Sequence, residues 1–143
     1  MDKEKLTVKP SPCASCPYRV GVPSGVWARE EYEMLRTYDG TILEQACNGA
    51  TEVLGCHQAD GQLCSGWVGY RDLHDLLAAR LHAAELDDSV PGYQSPVPLF
   101  RSGAEAADHG EQDIENPSEA ARDTIGKITA VREIRGEPVR RSL

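Results

Sequence analysis

Large apolar side chains are scarce in this sequence. One Phe, two Trp and five Tyr hold the aromatic share of 143 residues at 6%, and there are only two Met. Aromatic residues bury the most area per side chain, so a core built with few of them is thin and gains from another kind of tie. No stretch approaches the roughly 20 apolar residues that a membrane span needs, and the opening MDKEKLTVKP has no apolar run of signal-peptide length. The expectation is a cytoplasmic protein with no membrane association. A phosphate-binding glycine loop, a nucleophile elbow, an HExxH helix and a paired-carboxylate constellation are all missing. Hydrolytic and group-transfer chemistry therefore has no visible carrier, and the expected role is not enzymatic.

Basic charge is also short. Fifteen Lys and Arg stand against 23 Asp and Glu, for a formal net charge of -8. From Glu85 to Glu119 nine acids face Arg101 alone, so this segment carries the whole excess. Phosphate contacts need Lys and Arg, which argues against direct nucleic acid binding here. Only the last stretch, VREIRGEPVRRSL, is weakly basic.

The length fits one domain with an appended segment. Residues 1–90 read as a Cys-rich metal-binding domain, and residues 91–143 as a Pro-rich connector, short helices and a basic tail. Leu6 and Val8 alternate about Thr7 as a short edge strand. Trp27, Met34, Leu35 and Tyr38 recur at helical spacing and predict a helix over about 26–38, with Ser24 as its cap and Gly40 as its stop. Residues 41–63 read as loop, apart from a short turn at 43–47. The strongest period follows: Trp67, Tyr70, Leu73, Leu76, Leu77, Leu81 and Ala84 share one face and predict a helix over about 65–86. Three prolines in PGYQSPVPLF make an extended connector. Ser102 and Glu105 form a capping box for a helix that ends at Gly110. Asn116 as cap and Pro117 at the first position start another, through about residue 128. The fold class expected is mainly α with irregular loops, a small metal-stabilised domain with a long central helix and a helical C-terminal extension.

Five cysteines carry the visible chemistry. In a reducing compartment they read as metal ligands or reactive thiols before they read as a disulfide framework, and an odd count points the same way. Cys13 and Cys16 form a CxxC on a proline-flanked turn; about forty residues later come Cys56-His57 and Cys64-x-Gly66-Trp67. A tight turn lets two sulfurs reach one centre without strain, and the long loop to the second pair adds closure entropy only slowly. Cys13, Cys16, Cys56 and Cys64 are the expected metal ligands, with His57 an alternative fourth ligand or a hydrogen-bond donor behind the ligands. Four thiolates suit a structural zinc ion or a 4Fe-4S cluster, and zinc is favoured. A dithiol oxidoreductase is the third reading of the same residues, weakened because no buried strand leads into the CxxC. Cys47 has no partner at ligand spacing and reads as a free, half-buried thiol. His74 and His82 lie too far apart for one centre and read as surface or satisfied residues. Trp27 and Trp67 read as core anchors over the site, and Tyr18-Arg19 as an exposed loop pair able to recognise a partner.

The blocks CASCPYRVGVPSGVW, EEYEMLRTYD, GCHQADGQLCSGWVGYRDL and, more loosely, PLFRSGAEAADHG resemble a family of small, largely uncharacterised proteins of actinobacteria and their phages, classed as a domain of unknown function. The resemblance covers roughly residues 12–110. It implies Cys13, Cys16, Cys56 and Cys64 as the shared set with His57 beside them, and it implies no activity. A fainter similarity is to the WhiB-like iron-sulfur regulators of the same bacteria, although here Gly25-Val26-Trp27 lies between the cysteines and not after them. The function expected is a metal-binding binding or regulatory protein; the alternative is an iron-sulfur redox sensor. Either is expected to act through a protein partner, with a second copy of the chain one candidate.

Overall fold

Alternation at Leu6 to Val8 does place a strand at the start of the chain. In a computed structural model that describes residues 5–56 and 61–135, β1 (Thr7–Val8) runs parallel to β2 (Gln62–Leu63), with Thr7 opposite Gln62 and Val8 opposite Leu63. Leu6 bridges Leu86 on one side, and Gly55 bridges Leu63 on the other. The small sheet thus fastens the N-terminal segment to the stretch that ends in Cys64.

Among the described residues the rest is mainly helical: α1 (Arg29–Arg36), α2 (Ile42–Cys47), α3 (Ser65–Gly69), α4 (Leu77–Leu81), α5 (Gly103–Glu111) and α6 (Glu119–Arg135). None of these is long and apolar enough to cross a membrane. In α1, Glu30 and Glu31 open the helix and Arg36 closes it, which suits the macrodipole. Its buried Tyr32 and Leu35 pack on the small buried face of α5, formed by Gly103, Ala106, Ala107 and Gly110. A Cβ at Gly110 would overlap the Tyr32 ring, so this close approach requires glycine. Arg36 ties the two helices together through Asp108 and Glu111, both at 2.9 Å.

Helix α1 starts three residues later than the period predicts. The Tyr32 hydroxyl accepts from the N–H groups of Val26 and Trp27, at 3.1 and 3.0 Å, and so holds them out of a helical turn. Ser24, the expected cap, spends its hydroxyl on Asp113. The stretch read as loop with a turn contains α2, a short helix with a complete capping box: Thr41 accepts from the Glu44 N–H while the Glu44 carboxylate accepts from the Thr41 N–H. At α6 the cap is Ser118, which accepts from the Ala121 N–H; Asn116 still belongs to the preceding turn, its N–H donating to the Asp113 carbonyl.

The long central helix over 65–86 is not formed. It is split into α3, a 3-10 turn at Leu73–Asp75, α4 and a 3-10 turn at Ala83–Glu85. Two side chains enforce the breaks. Asp72 accepts from the His74 N–H at 3.0 Å, and Gln45 accepts from the Leu77 N–H at 2.9 Å, so neither group joins a continuous ladder. The apolar positions nevertheless do their expected work at Trp67, Tyr70 and Leu76, all buried, whereas Leu81 is 59% exposed.

One core runs through the described residues. Trp27, Trp67, Tyr32, Leu35, Leu63, Leu76 and Val90 are its largest buried members, so both tryptophans are core anchors as expected. Tyr18 joins them and corrects a second expectation. It is fully buried, stacked on Tyr70 with ring centroids 4.6 Å apart, and is no exposed recognition residue.

Candidate functional site

The CxxC turn is built by local hydrogen bonds. The Cys16 N–H donates to the Cys13 carbonyl at 3.0 Å and the Arg19 N–H to the Cys16 carbonyl at 3.1 Å. Pro12 and Pro17 fix φ on either side, and the Arg19 guanidinium closes the loop by donating to the Pro12 carbonyl at 3.0 Å. Arg19 therefore finishes the turn. Trp27 buttresses it from outside, its indole N–H donating to the Ser15 carbonyl at 2.8 Å.

The second pair of cysteines comes from neighbouring extended segments. The Cys56 N–H donates to the Gln62 carbonyl and the Cys64 N–H to the Leu54 carbonyl, both at 2.8 Å. Cys64 then caps the entry to α3. The Lys9 N–H donates to the Leu63 carbonyl at 3.3 Å, which lays the N-terminal turn against this hairpin. Gly66 sets how closely the two halves meet: a Cβ there would run into the Cys16 sulfur and into the Cys16 neighbour Tyr18.

All four sequence-predicted cysteines meet as a result. Cys13 Sγ lies 3.6 Å from Cys56 Sγ, and Cys16 Sγ lies 3.9 Å from Cys64 Sγ. Both distances exceed the roughly 2.05 Å of a disulfide, and all four residues are free thiols. The four line one cavity of about 10 Å³ with Ser15, Pro17 and Ser65. Among the described residues no three His, Cys, Asp or Glu side chains already close round a single point as a metal-ligand set. The sulfurs meet in pairs, and the pairs share the cavity.

The buried Cys16–Cys64 pair distributes its proton unevenly. Hydrogen bonding to Cys56 pushes the Cys13 thiol up, helped by burial. Hydrogen bonding from Cys64 brings the Cys16 thiol down against its burial, and the backbone N–H groups of Tyr18 and Arg19 also favour its charged form. Cys64, the donor of that pair, is pushed well up by the bond to Cys16 and by complete burial, with the N–H groups of Trp67 and Gly66 opposing. Four sulfurs this close cannot all carry charge without a cation among them.

Among the described residues Tyr18 OH, Ser65 Oγ and Trp67 Nε1 are buried without a close hydrogen bond, and the Ser65 side chain interacts with the Tyr93 phenol. All three belong to residues within three positions of Cys16 or Cys64, and Ser65, 1% exposed, lines the cavity itself. An unmade buried hydrogen bond costs on the order of 1–3 kcal/mol, so each of these atoms calls for a partner. Sequence reasoning missed Ser65, because nothing distinguishes a serine beside a cysteine from any other.

The remaining sequence candidates lie apart. His57 falls outside the described residues. Cys47 is exposed on α2, not half-buried, and is absent from the cavity. His74 is exposed beside Asp72, and His82 is satisfied by Glu85 and the Thr51 carbonyl.

A model of a family of unknown function, DUF6283, matches residues 8–132, a span that includes all five cysteines. The chain belongs to that family. No curated protein and no solved structure matches it.

Proposed function

We propose that Cys13, Cys16, Cys56 and Cys64 hold one zinc ion, and that this ion is the structural staple of a small module that binds or regulates a protein partner. The observation that carries the reading is the pairing of the sulfurs. On a tetrahedron with Zn–S bonds of about 2.3 Å the sulfurs stand about 3.8 Å apart, and the two pairs at 3.6 and 3.9 Å bracket that edge. The small cavity supports zinc over the alternative 4Fe-4S cluster. About 10 Å³ is room for one water-sized occupant, whereas a cluster sets each thiolate on an iron of its own. Ser65, buried at the cavity wall, suits a hydrogen bond to a metal-bound thiolate.

A zinc ion here supplies folding free energy, on the order of 10 kcal/mol for a small domain, and joins the N-terminal turn to the Cys56–Cys64 hairpin. That is the tie a core with few aromatics calls for. The absence of a basic face on the acidic 85–119 segment supports a protein partner, a second copy of this chain included, over nucleic acid. The compartment we assign is the cytoplasm, and the cysteine signature is our ground for placing the chain among small proteins of actinobacteria and their phages. Single variants Cys13→Ser and Cys64→Ser test the site. Each is expected to bind less than one zinc per chain and to melt at least about 10 °C below the parent. Variants that melt like the parent and keep a full zinc contradict the assignment.

A further inference from the structure

We infer that the centre is opened by thiol–disulfide exchange, and that the bond then formed joins Cys13 to Cys56 across the site, not Cys13 to Cys16 within the CxxC turn. The inference rests on the zinc reading and adds its regulation.

Accessibility selects the first sulfur. Cys13 and Cys56 are half-buried, whereas Cys16 and Cys64 are 4% and 7% exposed. Exchange needs a thiolate that an incoming disulfide can reach in line, which leaves the Cys13–Cys56 pair. Geometry selects the second. Cys56 Sγ already stands 3.6 Å from Cys13 Sγ, while Cys16 Sγ is engaged with Cys64 Sγ deeper in the cavity. The CxxC spacing alone suggests the opposite pairing.

The electron count closes with a low-molecular-weight disulfide as oxidant. The Cys13 thiolate attacks one sulfur of that disulfide; its S–S bond breaks, and the first thiolate leaves. The Cys56 thiolate then attacks the Cys13 sulfur of the mixed disulfide, forming the Cys13–Cys56 bond and expelling the second thiolate. The protein loses two electrons and the oxidant gains them. Both protein sulfurs enter as metal-bound thiolates, so no proton leaves the chain, and the two expelled thiolates take theirs from water. Zinc keeps only two thiolates and dissociates. The buried Cys16–Cys64 pair is shielded from a second oxidant, so oxidation halts at one bond. That bond spans the same two segments as the ion did, and the module stays cross-linked after the metal has gone.

The test uses the full zinc-loaded chain carrying Cys47→Ser, which removes the exposed fifth thiol, treated with excess oxidised glutathione. A zinc indicator follows release, and peptide mass mapping assigns the bond. The expected result is one zinc released per disulfide formed, a Cys13–Cys56 linkage, and Cys16 and Cys64 alkylated only after denaturation. A Cys13–Cys16 linkage, or zinc retained with no bond formed, overturns the inference and leaves the zinc site standing. A reduced chain that takes up no zinc beforehand overturns the metal reading itself, and the release step with it.

Discussion

Cys13 and Cys56, 43 residues apart in the chain, face each other with sulfurs 3.6 Å apart. That proximity is produced by elements with no sulfur in them: the β1–β2 pairing, the Lys9 to Leu63 hydrogen bond and the turn that Arg19 closes on Pro12. The scaffold brings the thiols together, and the chemistry follows from their being there.

Gly66 is the steric gate of the site. A Cβ would collide with the sulfur of Cys16 and with Tyr18, both buried and unable to yield. Gly66→Ala is therefore expected to cost about 1–3 kcal/mol despite alanine's better helix propensity, and to weaken zinc binding measurably by competition with an indicator. Gly126 in α6 is the control. An added Cβ there meets nothing within 4 Å, so Gly126→Ala should raise stability by up to about 1 kcal/mol. Equal effects from the two substitutions in urea melts would contradict this account.

Gln45 holds the broken segment in its broken form. Fully buried, it donates to the carbonyls of Gly40 and Asp75, at 3.1 and 2.7 Å, and accepts from the Leu77 N–H at 2.9 Å. Gln45→Leu keeps the volume and strands the Asp75 carbonyl and the Leu77 N–H, while the Gly40 carbonyl keeps the Arg71 guanidinium. The expected loss is about 2–4 kcal/mol in chemical denaturation, and a loss below 0.5 kcal/mol would show that water replaces the side chain.

His82 makes stability depend on pH. Its Nδ1 faces the Glu85 carboxylate at 2.9 Å and its Nε2 faces the Thr51 carbonyl at 3.0 Å. Only the imidazolium donates to both, and its bond to Glu85 leads in raising the ring above its ordinary 6.5, with burial opposing. A raised folded value means that the contribution is fully present below about pH 6.5 and is lost as pH climbs through the folded value. The melting difference between the parent and His82→Ala should be widest near pH 5.5 and narrow by pH 9; a difference that is flat across this range would rule out the charged pair.

The four cysteines were legible in the sequence because each half is local: a CxxC on a proline-flanked turn, and a second pair eight residues apart. The side-chain caps at Thr41–Glu44 and Ser102–Glu105 involve residues three apart; the second was read in advance as a capping box, of which the Ser102 half is formed. What the sequence concealed depended on distant partners. One of the two breaks over 65–86 comes from Gln45, and the burial of Tyr18 comes with Tyr70 stacking on it. A helical period records which side chains are apolar. It does not record which backbone N–H a remote side chain will claim.

The account stands or falls on the occupant of the four-cysteine cavity. Elemental analysis of the full chain purified without oxygen tests it most directly. One zinc per chain in a colourless protein is the predicted result, and a brown protein with about four irons per chain, or a chain with no metal at all, contradicts it.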